Sequence, residues 1–258
     1  STVKGNGLLE AMGGKKNSDS RASGGGGGRI AIHYTTSYQY AGKFNLAPGI
    51  HSTTTSSYTV LTPPEYGTLV LWDRANNDVN FMSGPIQSNQ GFDQKLDQVN
   101  GIYNFRNIYF GKGTQIGNIT LAGYTLATSN TSEQPLIFNA TDNIVVFTGT
   151  NINSTGYNGS ALSQGYGSGP GGAPSVSYYS NGAGHGGRGG SGAAGQGNGT
   201  IYGSLFNPRT YGSGGGSHTT NSPGNPGGAA VKLLAKGNIT INGTLNLSGI
   251  GYVTGFGG

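Results

Sequence analysis

Short segments in which apolar and polar residues alternate recur along the chain, each bounded by glycines. Residues 7–13 and 243–249 share the pattern G-x-L-x-[AL]-x-G, and residues 42–49 form a version that is one residue longer. Alternation with a period of two predicts β-strands that bury one face, which in the last segment places Leu245 and Leu247 on the same side. The flanking glycines are expected to form corners between strands.

A second recurring element is a glycine tract that runs into an apolar strand. Residues 24–28 lead into 29–34, and Gly227 and Gly228 lead into 229–236. The last copy continues through residues 237–243, so that strand, corner and strand follow one another every eight to ten residues. This spacing predicts a parallel β-solenoid, in which each strand pairs with its equivalents in the turns above and below.

Between residues 50 and 160 the glycines thin out and strand-like runs dominate. These runs are rich in β-branched and aromatic residues and span 57–61, 67–73, 101–110, 117–127, 135–139 and 143–153. Residues 92–99 form the only segment with a weak helical pattern. The predicted fold class is therefore all-β, with a β-solenoid region at 1–160 and terminal solenoid turns at 231–258.

Residues 161–230 form a different zone, which contains 23 glycines in 70 positions and no acidic residue. One interpretation is a flexible surface insertion. The other is a set of extended, partly polyproline-II-like chains that pack side by side, which glycine permits because a Cβ would separate the backbones. Interleaved tyrosines favour the ordered alternative.

The composition favours an ordered structure and gives no sign of nucleic-acid binding. Only 9% of the 258 residues are charged, and 15 tyrosines and nine phenylalanines are present. The formal net charge of +5 is spread over single basic residues, whereas nucleic-acid binding calls for a clustered basic stripe. No apolar run approaches the roughly 20 residues that would span a bilayer.

The glycine tract before residues 29–34, together with residues 237–249, resembles the glycine-rich repeats of very large secreted or surface proteins of archaea and bacteria. The resemblance covers about residues 3–49 and 223–258. Those repeats are generally taken to be right-handed parallel β-helices. The resemblance implies an extracellular location and a structural or adhesive role, with no cofactor and no catalytic residues to carry over.

Both ends of the sequence read as parts of a repeat, since residues 1–5 look like the end of a strand and 255–258 like the start of a glycine tract. Uncapped ends of a solenoid present unpaired strand edges, and head-to-tail pairing of such edges generates an open filament. We therefore expect self-association into a homopolymer.

Asparagine sequons for N-glycosylation are concentrated in the second half of the chain. The first ten asparagines contribute none and the last fifteen contribute all nine. Glycosylation at several of them would imply export and a sugar-coated surface. The candidate sites are Asn118, Asn130, Asn139, Asn153, Asn158, Asn198, Asn238, Asn242 and Asn246.

Metal binding and catalysis find little support in the sequence. No acidic residue follows Asp142, which argues against calcium-binding repeats, and His185 and His218 stand alone among glycines. Enzymes built on parallel β-helices use clustered carboxylates, for which the candidates are Asp73 with Asp78 and Asp93 with Asp97. Scattered acids in a β protein more often form turns, so we expect neither an enzyme nor a metal or cofactor site.

The sequence hypothesis is a structural subunit of an extracellular filament or cell-surface fibre that assembles by strand pairing between subunits. The alternative is an adhesin, of cellular or viral tail-fibre type, whose tyrosine-bearing glycine zone binds a glycan or a receptor at the cell surface.

Overall fold

A computed structural model of the chain describes residues 1–15, 24–49, 65–87, 98–99, 102–113, 117–122, 124–125, 133–134, 136–157, 169–172, 175–176, 179–180, 182–190, 199–216 and 224–249. This part of the chain contains strands and irregular segments but no helix, which confirms the all-β class predicted from the sequence. The strand predicted at 57–61 lies outside the described residues. So do residues 92–97 of the weak helical segment, and its last two residues form a strand instead.

The strands are short and are separated by turns or glycine segments. The first six are β1 (Thr2–Gly5), β2 (Leu8–Glu10), β3 (Arg29–Tyr34), β4 (Ser37–Tyr40), β5 (Lys43–Asn45) and β6 (Thr68–Asp73). The others are β7 (Asp78–Gln87), β8 (Gln98–Val99), β9 (Ile102–Phe105), β10 (Asn107–Phe110), β11 (Ile119–Ala122), β12 (Tyr124–Thr125), β13 (Glu133–Gln134), β14 (Leu136–Ala140), β15 (Ile144–Val146), β16 (Asn151–Asn153), β17 (Ser175–Val176), β18 (Tyr179–Ser180), β19 (Val231–Ala235), β20 (Ile239–Ile241) and β21 (Thr244–Asn246).

Strands β1 to β6 form a first stack of parallel pairs. Strand β4 pairs with β1, β5 with β2, and β6 with β3. The side-chain amide of Asn45 reaches Glu10, 35 positions earlier, in the neighbouring layer. A second chain segment thus repeats the path of the first, one strand spacing above it.

Most of the strands from β7 onward form a second stack with three parallel ladders. The ladders run β9–β14–β19, β7–β10–β15–β20 and β7–β11–β16–β21. Strand β7 takes part in two of them, because its first four residues pair with β10 and its last four with β11. Gly84 begins the second half with φ at +79°, a conformation that glycine adopts without strain. The parallel pairing predicted from the repeats is present in both stacks.

A hairpin joins the two stacks and reverses the direction of the chain. Strands β6 and β7 are antiparallel, with Asp73 opposite Asp78, and four turn residues connect them. Asn77 closes the turn with φ at +55°, in the left-handed region that asparagine tolerates. In the sheet that the two stacks share, the strands of the second stack therefore run opposite to those of the first. Among the described strands, antiparallel pairing also joins β8 to β9, β12 to β13 and β17 to β18.

The two stacks bury separate apolar cores on opposite faces of the β6–β7 hairpin. Leu69 and Leu71 pack with Leu46 and Met82 in the first core. The alternate residues of the same two strands, among them Val70, Trp72, Val79 and Phe81, pack in the second core. Strand β6 is consequently buried on both faces, with four consecutive buried residues. At this hairpin the strand direction reverses, and the core changes to the other face of the sheet.

The second core is larger and aromatic at its centre. Phe138 is fully buried, and its ring lies 5.1 Å from Tyr103, 5.1 Å from Phe110 and 6.0 Å from Phe81. Burial alternates along β14 in the pattern buried, half-buried, buried, as a strand with one inward face requires. Each fully buried side chain of this size contributes roughly 1.5–3 kcal/mol through the area it removes from water.

The last two layers of the second stack are separated by the glycine-rich part of the sequence. Neighbouring layers are connected across 35 positions by the side chains of Asn104 and Asn139. At the last layer the separation is 95 positions, between the side chain of Asn143 and the backbone N–H of Asn238. The additional residues precede β19 and include most of the zone at 161–230. The described strands among them, β17 and β18, pair with each other and with no strand of the second stack, which the chain rejoins at β19.

Candidate functional site

The layer formed by β19, β20 and β21 presents an open strand edge. Each of these strands pairs on one side only within the described residues. Ile239 and Ile241 are 45% and 48% exposed, whereas their partners one layer below, Ile144 and Val146, are buried. The inward-facing residues of this layer therefore keep apolar surface uncovered, and we name β20 and β21 the late edge.

The layer formed by β1 and β2 presents a second open edge, named the early edge. Among the described strands, β1 pairs with β4 alone and β2 with β5 alone. Leu9 points to the same side as Phe44 of the first core but is 37% exposed, and Leu8 is 58% exposed. Unpaired edges with apolar side chains are ready templates for pairing with another chain.

A ladder of asparagines marks one corner of the second stack. Asn107 Oδ1 accepts hydrogen bonds from the backbone N–H and the side-chain amide of Asn143, both at 3.1 Å. Asn143 Oδ1 accepts the backbone N–H of Asn238 at 2.9 Å, and the amide of Asn107 donates to Asp78 at 3.0 Å. The ladder thus runs through four successive layers, and Asn238 is its last member.

The carboxylates of Asp73 and Asp78, which the sequence offers as a candidate catalytic pair, both make structural contacts. Asp78 binds Arg106 through two hydrogen bonds of 2.9 and 2.8 Å, and the hydrogen bond with Asp78 raises the pKa of Arg106 above its ordinary value. Asp73 accepts the backbone N–H groups of Ala75 and Asn76 and so stabilises the hairpin turn. The other proposed pair, Asp93 with Asp97, lies outside the described residues.

The sequon asparagines that the structure describes are either exposed or half-buried. Asn118, Asn238, Asn242 and Asn246 are exposed. Asn139 and Asn153 are half-buried in β14 and β16, and the amide of Asn139 donates to Asn104 Oδ1 at 2.8 Å. Three candidates lie outside the described residues: Asn130, Asn158 and Asn198. Glycosylation of these residues stays a prediction.

The described parts of the glycine-rich zone are connected to one another by backbone hydrogen bonds. Gly212 N–H donates to Gly228 O at 2.7 Å, and Gly184 N–H donates to Gly171 O at 3.0 Å. A Cβ added at Gly189 would lie 1.8 Å from a neighbouring backbone oxygen. These segments therefore approach one another to a distance that only glycine permits.

An exposed loop at 201–209 projects from this zone with two apolar side chains at its tip. Leu205 is 88% exposed and Phe206 is 92% exposed. The loop is anchored behind the tip, since Lys232 Nζ donates to Asn207 Oδ1 at 2.7 Å. Tyr202 lies in the same loop, and its hydroxyl donates to the backbone oxygen of Tyr211.

His185 lies beside this loop and contacts Tyr202 and Thr210. Its ring contacts that of Tyr202 in a tilted arrangement with the ring centres 4.9 Å apart, and its Nε2 lies 3.3 Å from Thr210 Oγ1. Burial lowers the pKa of His185, and a hydrogen bond with the backbone of Thr210 partly offsets this shift. His218 lies outside the described residues. Within the described part of the chain, no three acidic or histidine side chains come together to hold a metal ion.

Sequence reasoning missed the asparagine ladder, although a signal for it was present. The ladder residues begin the segments D-V-N-F at 78–81, N-I-Y-F at 107–110, N-I-V-V at 143–146 and N-I-T-I at 238–241. An Asp or Asn before two inward-facing apolar residues recurs in each.

Among the described residues, no helix is long and apolar enough to cross a membrane. No family model, curated protein or solved structure matches the chain.

Proposed function

We propose that this chain is a non-enzymatic structural subunit of an extracellular filament or cell-surface fibre, and that each of its two stacks is built from turns of a parallel β-solenoid. The observation that carries the proposal is that, among the described residues, two strand edges are unpaired and have uncovered apolar residues: the early edge and the late edge. Subunits that pair through such edges form an open polymer because the contact is head to tail and does not close.

The solenoid interpretation is supported by the asparagine ladder along one corner and by the return of the chain after 35 or 36 positions at the layers that precede the glycine zone. The glycine zone is then an insertion before the last turn, whose chains pack side by side in partly polyproline-II-like conformations. Backbone hydrogen bonds between its glycine segments support this interpretation.

Electron microscopy and light scattering of the purified protein test the proposal. We expect filaments whose length increases with protein concentration. Replacing Ile239 and Ile241 together with lysine places two charges on the late edge and should abolish the filaments, while circular dichroism of the subunit stays unchanged. The control replaces Leu205 and Phe206 with lysine, which leaves both edges intact. Concentration-independent monomers of the unaltered protein would refute the proposal.

The adhesin function is a second candidate, and the exposed tip of the loop at 201–209 favours it. An apolar pair that is about nine-tenths exposed and held by anchored flanks is costly in water and suits a binding surface. Replacing Leu205 and Phe206 with serine separates the two functions. Loss of attachment to cells or glycan arrays with filaments intact supports adhesion, whereas unchanged attachment removes the loop as the binding site.

A further inference from the structure

We propose that two copies of the chain join by laying the early edge of one copy, in parallel, on the late edge of the other. In this junction Val3 lies opposite Ile239, and Leu9 lies opposite Leu245. The inference rests on the proposed filament function and specifies its contact surface, residue by residue.

The two edges have the same length and the same corner. Residues 2–11 and 238–247 each consist of a strand, an Asn-Gly corner and a second strand. Aligning Asn6-Gly7 with Asn242-Gly243 places β1 on β20 and β2 on β21 without an insertion. An additional layer of this shape therefore fits the late edge along both strands.

The inward-facing residues coincide in this alignment. Val3 pairs with Tyr38 and Leu9 with Phe44, both of which pack against the first core. In the late edge, Ile239 pairs with Ile144 and Leu245 with Ile152, both in the second core. A shift by one residue would turn every inward side chain outward, and a shift by two would separate the two Asn-Gly corners. This register therefore satisfies both the apolar rows and the corner.

At β1 and β20, equivalent residues of the two edges direct their backbone N–H and C=O groups toward the neighbouring layer. Ala41 N–H donates to Gly5 O at 2.8 Å, and Asn242 N–H donates to Val146 O at 2.8 Å. Gly5 and Val146 occupy equivalent positions in the layer below the donor. In the junction, Asn6 N–H of the added copy accordingly donates to Ile241 O.

The same agreement holds at β2 and β21. Ala11 N–H donates to Asn45 O at 2.9 Å, and Ser154 N–H donates to Asn246 O at 3.0 Å. Here the lower layer donates to the upper one in both stacks. The junction therefore pairs Leu247 N–H with Glu10 O of the added copy.

Side chains at the corner and at the strand end complete the match. Asn238 Oδ1 is placed to accept Thr2 N–H of the added copy, as Asn107 and Asn143 accept the N–H of the layer above them. Glu10 comes to lie opposite Asn246, which repeats the carboxylate–amide contact of 2.9 Å that Glu10 makes with Asn45. The asparagine ladder thus continues into the next copy.

The two stacks wind with the same hand, which the junction requires. Strand direction reverses at the β6–β7 hairpin, and the core changes to the other side of the sheet at the same place. The two changes together are equivalent to a rotation about the stacking direction, whereas either one alone would change the hand. The early edge can therefore extend the second stack without distortion.

Engineered disulfides test the register, since the chain contains no cysteine. Leu8 and Thr244 are exposed, outward-facing residues that lie opposite each other in the proposed junction. Neighbouring strands are about 4.8 Å apart, within the range of Cα distances that a disulfide spans. The Leu8→Cys single variant is mixed with the Thr244→Cys single variant, produced without glycosylation, and mildly oxidised. We expect a covalent heterodimer as the main product, and a ladder of covalent oligomers from the double variant.

The matched control mixes Leu8→Cys with Asn242→Cys, which is two positions out of register and should give at least tenfold less heterodimer. Filaments without preferential cross-linking at position 244 would overturn the register but leave the proposed function standing. Variants that remain monomeric at every concentration, together with a monomeric unaltered protein, would overturn the proposed function itself.

Discussion

Replacing Phe138 with alanine tests the structural basis of the second core. Phe138 is fully buried, and its ring meets three other aromatic rings at 5.1 to 6.0 Å. Truncation of a buried phenylalanine to alanine costs about 3–5 kcal/mol, because it removes apolar contact and leaves a cavity. The aromatic contacts contribute about 0.5–1.5 kcal/mol each beyond burial, so Phe138→Leu should show an intermediate loss.

Urea denaturation followed by tyrosine fluorescence measures these differences in the free energy of unfolding. Phe206→Ala is the matched control, because Phe206 is 92% exposed and the same atoms are removed. We expect the control to change stability by less than about 0.5 kcal/mol. Equal losses for the two alanine variants, or no loss for Phe138→Ala, would show that the aromatic centre is not a packed core.

Three further predictions concern the glycine zone, a histidine and the corner ladder. Gly189→Ala should lower the melting temperature, because its Cβ would lie 1.8 Å from a backbone oxygen, whereas Gly186→Ala meets nothing within 4 Å and serves as control. Burial lowers the pKa of His185 from 6.5, so its contribution to stability is complete above that pH and is lost as the pH falls. A pH titration of the melting temperature should therefore decline below pH 6.5, and less steeply in His185→Gln. Asn143→Ala should cost about 1 kcal/mol in urea denaturation, because it removes side-chain hydrogen bonds to both neighbouring layers; an unchanged midpoint would contradict the ladder.

The local elements of this fold could be predicted from the sequence, because alternation and glycine spacing are local signals. The segment at 243–249 forms a strand with Leu245 facing the core, as its period of two predicted. Strands also formed within the runs predicted at 67–73 and 135–139. Parallel pairing followed from the repeat spacing alone.

The reversal between the stacks could not be predicted from the same signals. The turn at 74–77 looks like any polar turn, and nothing in Asp73 or Asp78 indicates that the following strand runs back along the preceding one. Four consecutive buried residues in β6 break the alternation, because this strand has a core on each side. A run of four apolar residues also occurs in buried strands that involve no reversal of the chain, so the run alone does not predict the reversal.

The sequence predicted a candidate site made of open strand edges, but it did not predict which residues those edges expose. Open ends were expected from the repeat pattern, but the exposure of Ile239 and Ile241 depends on which layer is last, and that is a property of the assembled fold. The asparagine ladder joins residues as far as 95 positions apart, so no local window contains it. The exposed tip at Leu205 and Phe206 was missed because apolar residues in a sequence are ordinarily assigned to a core.

The reversal at the β6–β7 hairpin has a consequence for the appearance of the proposed filament. Because the two cores lie on opposite faces of the sheet that both stacks share, the axes of the two stacks are displaced sideways within each chain. In the proposed junction, the first stack of each added copy continues the second stack of the copy before it, so the axis of the fibre would step sideways once per copy. The fibre would then be a stepped column, with one step at each β6–β7 hairpin.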